Sequence, residues 1–259
     1  MRPNRLRALL QSGEFAIGTM IQEIRSPAIA IILAHAGFDF AFVDMEHGRF
    51  DLESTASLIQ SLRLAGLTPL VRVPEGEYYL IARVLDAGAE GIMVPRVETR
   101  AQVEQIVNSV RFPPLGKRGL STTKGHNDFQ SADPWEFTRF MNRENLVILQ
   151  IERKEAVDQI EDLLDVSGVD GVVIGPTDLS VSLGVSKALD DPQMVMAIGR
   201  VVTAAKRRGL FSGIHAGMDW ISFWRPRGMT LLACGTDLDL LNTSFHHLSA
   251  QLRKVGQSG

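Results

Sequence analysis

Two acidic side chains in the second half of the chain have the spacing of a metal-binding site. The run 147–152 alternates so that Gln150 and Glu152 share one face of a short apolar strand, with an amide and a carboxylate at its end. The next apolar run is followed by Asp178. Neighbouring carboxylates repel each other unless a cation or a proton lies between them. Two oxygen ligands that leave room for water and substrate suit Mg²⁺, Mn²⁺ or Co²⁺ better than structural zinc.

Each of these carboxylates also has a structural interpretation. Glu152 could pair with Arg153 or Lys154, and Asp178 could cap the helix that follows it. For either residue alone this interpretation is as good as metal binding. Because the two carboxylates end consecutive predicted strands, we favour the metal for the pair.

A second polar cluster closes an earlier apolar run with Asp44, Glu46 and His47. A histidine in such an acidic setting could be a general acid or base, a metal ligand or a structural donor, and we favour catalysis. Arg72 lies in a run that reads as a buried strand, where an unpaired guanidinium would be costly. It therefore either pairs with a carboxylate of the cluster or faces an anionic substrate, and one arginine can do both.

Three further residues could contribute to the same site. Asp86 stands near the end of a predicted helix, where it could be an ordinary surface residue or could orient a nearby histidine. His215 ends another apolar run and could line the mouth of the site or have a structural role. His126, in a long irregular segment, could contact the substrate from there.

Eight short apolar runs, rich in Val, Ile, Leu and Phe, are typical of buried parallel strands. The predicted strands are Phe15–Ile21, Phe38–Asp44, Pro69–Val73, Gly91–Val97, Leu146–Glu152, Gly171–Gly175, Leu210–His215 and Met229–Gly235. Because helical segments separate them, the pattern predicts an α/β fold, a single-domain (β/α)₈ TIM barrel over residues 1–259. The alternative is a doubly wound open sheet. In a barrel, polar residues at the carboxyl ends of the strands converge on one mouth.

The segments between the runs have apolar residues at helical spacing. The predicted helices are Asp51–Leu64, Tyr78–Ala87, Thr99–Val110, Pro134–Met141, Ala156–Leu164, Met194–Arg208 and Asp237–Val255. One segment, 111–145, interrupts this rhythm with several prolines and glycines. We expect it to form a lid, a substrate wall or a subunit contact beside the active site.

The composition excludes several classes of function. Of 259 residues, 27 are Lys or Arg and 30 are Asp or Glu, and a net charge of −3 without a basic stripe argues against a nucleic-acid partner. The single cysteine, Cys234, excludes an intramolecular disulfide. The N-terminus lacks the apolar core of a secretory signal, and the longest apolar stretch, 28–38, is too short to span a bilayer. We therefore expect a soluble, cytoplasmic protein with no membrane partner.

Other catalytic signatures are missing from the sequence. No lysine lies in a predicted strand, where a Schiff-base lysine would be expected. The lysines are Lys117, Lys124, Lys154, Lys187, Lys206 and Lys254. The Walker A, G-x-G-x-x-G and G-x-S-x-G patterns are also absent, which argues against nucleotide binding and serine hydrolysis.

Six stretches follow one another in an order that is characteristic of a known family. They are 37–48 (GFDFAFVDMEHG), 69–73 (PLVRV), 85–95 (LDAGAEGIMVP), 111–119 (RFPPLGKRG), 150–152 (QIE) and 168–180 (GVDGVVIGPTDLS). Each stretch alone is a weak signal. Together they make the chain resemble the HpcH/HpaI-type class II pyruvate aldolases over nearly its whole length.

The resemblance implies a set of roles for the residues of the barrel mouth. Glu152 and Asp178 would bind a divalent metal, Mg²⁺, Mn²⁺ or Co²⁺, as the carboxylate argument proposes. Gln150 and Gly175 would help to hold the pyruvate, and Arg72 would stabilise its enolate.

The resemblance assigns proton transfer to the first polar cluster. His47, oriented by Asp86, would move the proton together with a water, and Asp44 would lie near the substrate hydroxyl. The implied reaction is cleavage of a 4-hydroxy-2-oxo acid to pyruvate and an aldehyde, and its reverse, as in the catabolism of aromatic compounds or sugar acids. Two alternatives remain: a related carbon–carbon lyase or oxaloacetate decarboxylase with a different acceptor, and a barrel that binds oxo acids without turning them over.

The resemblance also implies an assembly of several chains. We expect a homo-oligomer, a trimer or hexamer, in which the C-terminal helix Asp237–Val255 is exchanged between neighbours. Two regions, 120–128 and 214–227, depart from the family pattern. Since both would border the aldehyde half of the substrate, the identity of the acceptor stays open.

Overall fold

Eight strands close into a parallel barrel in the computed structural model, which describes residues 1–186 and 188–255. Each strand pairs in parallel with the next along the chain, and the eighth pairs with the first. The strands are β1 (Ala16–Ile21), β2 (Phe40–Asp44), β3 (Thr68–Arg72), β4 (Gly91–Val94), β5 (Leu146–Ile151), β6 (Gly171–Ile174), β7 (Phe211–His215) and β8 (Leu231–Thr236). All eight predicted strands are confirmed, and the closed order excludes the doubly wound open sheet.

Helices surround this barrel. In the described residues they are α1 (Arg5–Gln11), α2 (Ala28–His35), α3 (Leu52–Leu64), α4 (Tyr78–Ala87), α5 (Arg100–Val110), α6 (Pro134–Glu144), α7 (Lys154–Asp158), α8 (Ile160–Leu164), α9 (Pro176–Leu183), α10 (Pro192–Arg207), α11 (Met218–Trp224) and α12 (Asp237–Val255). The predicted helix 156–164 is instead two short helices, α7 and α8, because the backbone of Gln159 (φ −109°, ψ 14°) leaves the helical conformation between them. Within the described ranges, no helix is long and apolar enough to cross a membrane.

The lysines of the described residues all lie outside the strands, as predicted. Lys187 lies outside the described residues.

Local signals position the helix ends. Asp51 precedes α3 and accepts a hydrogen bond from Ser54 N at 2.8 Å. Thr99 precedes α5 and forms a reciprocal capping box with Gln102. At the other end of α4, Gly88 has a φ of +112°, the left-handed conformation that glycine adopts without strain. The predicted helix boundaries therefore reflect backbone hydrogen bonds that the side chains satisfy.

Side chains from alternating strand positions fill the interior of the barrel. Phe40 and Phe42 of β2 pack edge to face with ring centroids 5.4 Å apart. Gly18 of the neighbouring β1 leaves the space that the Phe40 ring occupies, since a Cβ atom at Gly18 would collide with that ring. The remaining buried residues of this cluster are Leu6, Ala16, Met20, Leu70, Met93, Leu146, Ile148, Val173, Leu231 and Ala233. The interior is thus a packed core, and an open site can form only where this layer ends.

The segment 111–145 lies along the outer side of α4. Gly119 N donates a hydrogen bond to the Tyr78 hydroxyl at one end of the helix, and Gly125 lies against the backbone of Ala87 at the other. The segment joins α5 to β5, so it begins and ends at the face of the barrel opposite the carboxyl ends of the strands. The expectation that the segment starts and ends on the active-site side of the barrel is therefore wrong, whereas its role as a subunit contact stays a prediction.

The apolar face of α12 is exposed. Asp237 alone among the described residues of this helix is buried, while Phe245 is 63% exposed. On the barrel itself, Ile17 of β1 points outward and is 38% exposed, and Ile31 and Ile32 of α2 are exposed beside it. The last helix therefore does not cover the outer surface of its own barrel at β1.

A buried carboxylate at the end of the barrel opposite the strand carboxyl ends makes stability depend on pH. Glu90 is 6% exposed and its Oε1 lies 3.0 Å from Arg63 Nη1. Burial raises the pKa of Glu90 to about 7, because removal of the carboxylate from water outweighs the charges of Arg63 and Arg2. An acid with a raised pKa in the folded state contributes most stability below its unfolded pKa, and this contribution is lost as the pH rises through about 7.

We therefore expect Glu90→Gln to gain stability relative to the unmodified chain between pH 5 and pH 8. The gain should reach at most about 3 kcal/mol, since each pKa unit corresponds to about 1.4 kcal/mol. Urea unfolding at fixed protein concentration measures it. Glu104→Gln, at an exposed carboxylate of α5, is the control and should leave the pH dependence in place. An equal effect of Glu90→Gln at both pH values would contradict the prediction.

Candidate active site

The inward-facing rows of the strands end in polar residues at one mouth of the barrel. On β2, β3 and β5 the interior residues Phe42, Leu70 and Ile148 are each followed, two positions later, by a polar residue on the same face. These polar residues are Asp44, Arg72 and Gln150, and His215 ends the corresponding row on β7. The same period that fills the core therefore brings the predicted site residues together.

Asp44 and Arg72 form a two-pronged ion pair between neighbouring strands. Arg72 Nε and Nη2 donate to Asp44 Oδ1 and Oδ2, each at 2.7 Å, and both residues are buried. Gln22 Nε2 donates to Asp44 Oδ2 at 2.8 Å. Burial alone would raise the pKa of Asp44, but Arg72 and Gln22 hold it below its ordinary value. Of the two interpretations of Arg72, pairing with a carboxylate is confirmed. Its Nη1 atom is not bonded to Asp44 and faces Glu46 and Gln150 instead.

Glu46 lies between two arginines and has an unsatisfied oxygen. Its Oε2 is 3.1 Å from Arg72 Nη1, but it is buried and makes no hydrogen bond in the described residues. Its Oε1 is 3.7 Å from Arg96 Nε. Burial raises the pKa of Glu46, and the charge of Glu152 adds to this effect against the attraction of Arg72. The mouth therefore contains an excess of carboxylate oxygen that a cation would relieve.

Glu152 is buried at the end of β5 and points into the mouth. Its Oε1 accepts a hydrogen bond from Arg96 N at 2.8 Å, and its Oε2 accepts one from Gln150 Nε2. Gly175, after β6, lies so close that a Cβ atom there would be 2.9 Å from Glu152 Oε2. The side chain thus has two N–H donors and, within the described ranges, no ion pair within 4 Å.

The structural interpretation of Glu152 is wrong. Arg153 lies 3.8 Å from Glu98, and Lys154 pairs with Asp158 within α7, so neither neutralises Glu152. Asp178 lies in the first turn of α9 with its side chain exposed, and the position that precedes this helix is Gly175. Asp178 is therefore not the residue that caps α9 from outside, although an acidic residue in a first turn also favours the helix.

The donor set fits a hard divalent cation. Within the described residues no group of three or more His, Cys, Asp or Glu side chains is placed to hold a metal ion, so the candidate ligands are the pair that the sequence predicts. Glu152 directly follows β5, Asp178 lies in the first turn of the helix after β6, and Glu46 has a buried oxygen without a hydrogen bond. Carboxylate oxygens with positions left for water and substrate are the ligands that Mg²⁺ and Mn²⁺ accept.

His47 stands at the rim of the mouth. Its side chain is 63% exposed, and its Nε2 is 3.9 Å from Glu46 Oε2. The backbone turns so sharply after it that a Cβ atom at position 48 would collide with the carbonyl oxygen of Asp44, so this position suits only Gly48. An exposed imidazole beside the buried Asp44–Arg72 pair can reach a substrate that enters from solvent.

Asp86 does not join this cluster within one chain. It lies near the end of α4, where its Oδ1 is 2.6 Å from Arg118 Nη2 and 3.5 Å from His126 Nδ1. No hydrogen bond or ion pair joins Asp86 to His47 in the part of the chain that the structure describes. His126 is buried against Phe137. The two predictions that Asp86 orients His47 and that His126 contacts the substrate are therefore not met in a single chain.

Two residues of the site were not predicted. Gln22 follows the interior residue Met20 by two positions, so the period of β1 could have identified it. Arg96 contributes a backbone N–H from a residue with a φ of +54°, and its sequence context carries no signal of this conformation.

Comparisons with known proteins identify a family for the chain. A model of the HpcH/HpaI aldolase/citrate lyase family matches residues 21–243. The chain is 34% identical over 259 residues to a hydroxypyruvate/pyruvate aldolase of Deinococcus radiodurans, covering 96% of this chain and 90% of that protein. It is 31% identical over 253 residues to a 5-keto-4-deoxy-D-glucarate aldolase of Escherichia coli O6:H1, covering 97% of this chain and 98% of that protein.

A solved structure of an HpcH/HpaI aldolase from Desulfitobacterium hafniense DCB-2 has the same fold. The TM-score is 0.92 at 31% sequence identity, and the match covers 97% of each chain. The family model matches most of the chain, the relatives are more than 30% identical over at least 90% of each protein, and the barrel is shared. The protein belongs to the HpcH/HpaI aldolase/citrate lyase family.

Proposed function

We propose that residues 1–259 act as one domain, a class II pyruvate aldolase that cleaves a 4-hydroxy-2-oxo acid to pyruvate and an aldehyde, reversibly. The observation that carries the proposal is the buried Asp44–Arg72 pair beside Gln150 and Glu152, at the mouth of a barrel of this family. The relatives named above are aldolases, two of them named for hydroxypyruvate/pyruvate and 5-keto-4-deoxy-D-glucarate. These names favour a sugar-derived acid as the substrate class.

Glu152 and Asp178 would hold the divalent cation, Mg²⁺, Mn²⁺ or Co²⁺. When bound, such a cation acts as a Lewis acid that polarises the 2-oxo group of the substrate. Gln150 and Gly175 line the same end of the barrel and would hold the pyruvate half. The close approach of Gly175 to Glu152 favours glycine there, since a Cβ atom would push the carboxylate from its position.

Arg72 would stabilise the negative charge of the pyruvate enolate. Asp44 holds two of its nitrogens at 2.7 Å, so the guanidinium is oriented before the substrate binds. Its Nη1 has only longer contacts, 3.1 Å to Glu46 and 3.5 Å to Gln150, and can turn toward an oxyanion. A donor that is already oriented in this way does not have to reorganise during the reaction.

His47 would take the proton from the C4 hydroxyl as the carbon–carbon bond breaks. We expect His47→Gln to lower kcat/KM for a 4-hydroxy-2-oxo acid by about 100-fold or more, the range of general-base catalysis. Decarboxylation of oxaloacetate should fall much less, because that reaction removes no hydroxyl proton. Steady-state assays of pyruvate formation from both substrates measure the difference.

His35→Gln, at an exposed histidine of α2, is the matched control for this variant. Equal losses for the two substrates would contradict the role of His47. The same pair of assays on the unmodified protein tests the proposed function, because a preference for oxaloacetate would favour the decarboxylase alternative.

We infer that the chain is a homo-oligomer, a trimer or hexamer, in which α12 is exchanged between neighbours. The exposed apolar row of α12 and the exposed Ile17 of β1 support this inference, since each leaves apolar surface that a second chain can cover. Light scattering of the intact chain tests it, and a monomer at micromolar concentration would contradict it.

A further inference from the structure

His215 is an inward-facing histidine that the mechanism does not use. Phe211 and His215 lie on the same face of β7, and Phe211 packs against the barrel interior. In the closed order of eight strands, β7 stands opposite β3, so His215 lies across the mouth from Arg72. The charges of Arg72 and Asp44 both act on the imidazole. His215 is therefore a residue of the mouth rather than of the outer surface.

The hydrogen bond that His215 makes fixes which nitrogen is free. Its Nε2 is 3.0 Å from the carbonyl oxygen of Gly235, which also accepts a hydrogen bond from Thr19 Oγ1 at 3.1 Å. A carbonyl oxygen can only accept, so Nε2 carries the proton and Nδ1 holds a lone pair. Nδ1 makes no hydrogen bond to a described residue and is not sealed from solvent. The imidazole thus presents one oriented, accessible acceptor.

The imidazole is neutral in this setting. Burial lowers the pKa of His215, and the charge of Arg72 lowers it further against the hydrogen bond to Gly235. A neutral acceptor attracts a hydroxyl donor and offers nothing to a carboxylate, which has no proton to give.

Arg96 occupies the side of the mouth that is remote from His215. Towards β4, the backbone of Arg96 is bonded to Glu152 and its side chain reaches Glu46. Towards β8, the strand ends in Thr236, and Gly235 before it has no side chain. A substrate held at Glu152, after β5, would therefore reach His215 of β7 by extending away from Arg96, which follows β4.

We propose that His215 is a specificity-determining residue, whose Nδ1 accepts a hydrogen bond from a hydroxyl of the acceptor aldehyde. The substrate class is then a short hydroxyaldehyde rather than an apolar aldehyde of the same size. This inference rests on the proposed aldolase function and names the acceptor for that same site.

Glycolaldehyde and propanal are a matched pair for the test, since they differ in one hydroxyl against one methyl group. With pyruvate as the donor, the unmodified protein should have a higher kcat/KM for glycolaldehyde. In His215→Leu the ratio of the two kcat/KM values should fall about 5- to 10-fold, the effect of one hydrogen bond. His215→Gln, which keeps an acceptor oxygen, should restore part of the ratio. Propanal is the internal reference, so any loss of folded protein cancels.

The outcomes separate this inference from the proposed function. If pyruvate adds to neither aldehyde and its methyl protons do not exchange in D₂O, the proposed function fails. If both aldehydes react but His215→Leu lowers the two kcat/KM values equally, His215 has a structural role and the inference is overturned. If the ratio falls in His215→Leu and rises again in His215→Gln, the hydroxyl contact is supported.

Discussion

Replacement of Arg72 by lysine should lower kcat/KM for cleavage of the 4-hydroxy-2-oxo acid by about 100-fold or more, the cost of removing one oriented oxyanion donor. Asp44 engages Nε and Nη2 at 2.7 Å, and this leaves Nη1 directed into the mouth. A lysine keeps the positive charge but has one nitrogen, so it cannot bind Asp44 on two sides and also face the substrate. The measurement is steady-state pyruvate release at saturating cation.

The loss should appear mainly in kcat, because the interaction is strongest with the enolate. Arg100→Lys, at an exposed arginine paired with Glu104 and Asp162, is the matched control and should leave the rate near that of the unmodified protein. Thermal melting separates catalysis from folding, since Asp44 is fully buried and depends on Arg72 for its charge. Near-normal turnover by a folded Arg72→Lys protein would contradict the assigned role.

Removal of either proposed metal ligand should abolish most of the activity. We expect Glu152→Gln and Asp178→Asn each to weaken Mn²⁺ binding by roughly 100-fold or more. Loss of a residue that only hydrogen-bonds to a metal ligand already lowers metal affinity by up to roughly 100-fold, and a lost ligand should cost at least as much. Each change removes one negative charge from the proposed pair of metal ligands. Calorimetric titration with Mn²⁺ measures the affinity directly, without reference to turnover.

Two variants on α8 serve as matched controls for these substitutions. Glu161→Gln and Asp162→Asn make the same chemical changes at exposed carboxylates that pair with Arg200 and Arg100. Both should bind Mn²⁺ as the unmodified protein does. Unchanged Mn²⁺ affinity in both Glu152→Gln and Asp178→Asn would show that the cation, if any, binds elsewhere.

Much of the barrel and its mouth could be predicted from the sequence because both depend on a local period. The alternation that buries Phe42, Leu70 and Ile148 also points Asp44, Arg72 and Gln150 inward two residues later. Short apolar runs between helical segments have few arrangements other than a barrel. For these residues the strand period determined both the fold and the site.

Other features depend on contacts that no local pattern encodes. The N–H group that binds Glu152 comes from Arg96, whose backbone conformation is set by the tertiary structure. Asp86 meets Arg118, a residue distant from it in the chain, rather than His47. The prediction for 111–145 was wrong for a different reason. The segment connects the end of α5 to the start of β5, and both of these lie at the face of the barrel opposite the active site.

Exchange of the methyl protons of pyruvate in D₂O, followed by NMR, tests most directly whether the mouth forms an enolate with a cation. The purified protein would be measured with Mg²⁺ or Mn²⁺, and again after removal of all cation with EDTA. The account predicts rapid exchange that requires the cation, stops in EDTA and is lost in Glu152→Gln. Exchange that persists in folded, metal-free protein, or no exchange with any divalent cation, would contradict it.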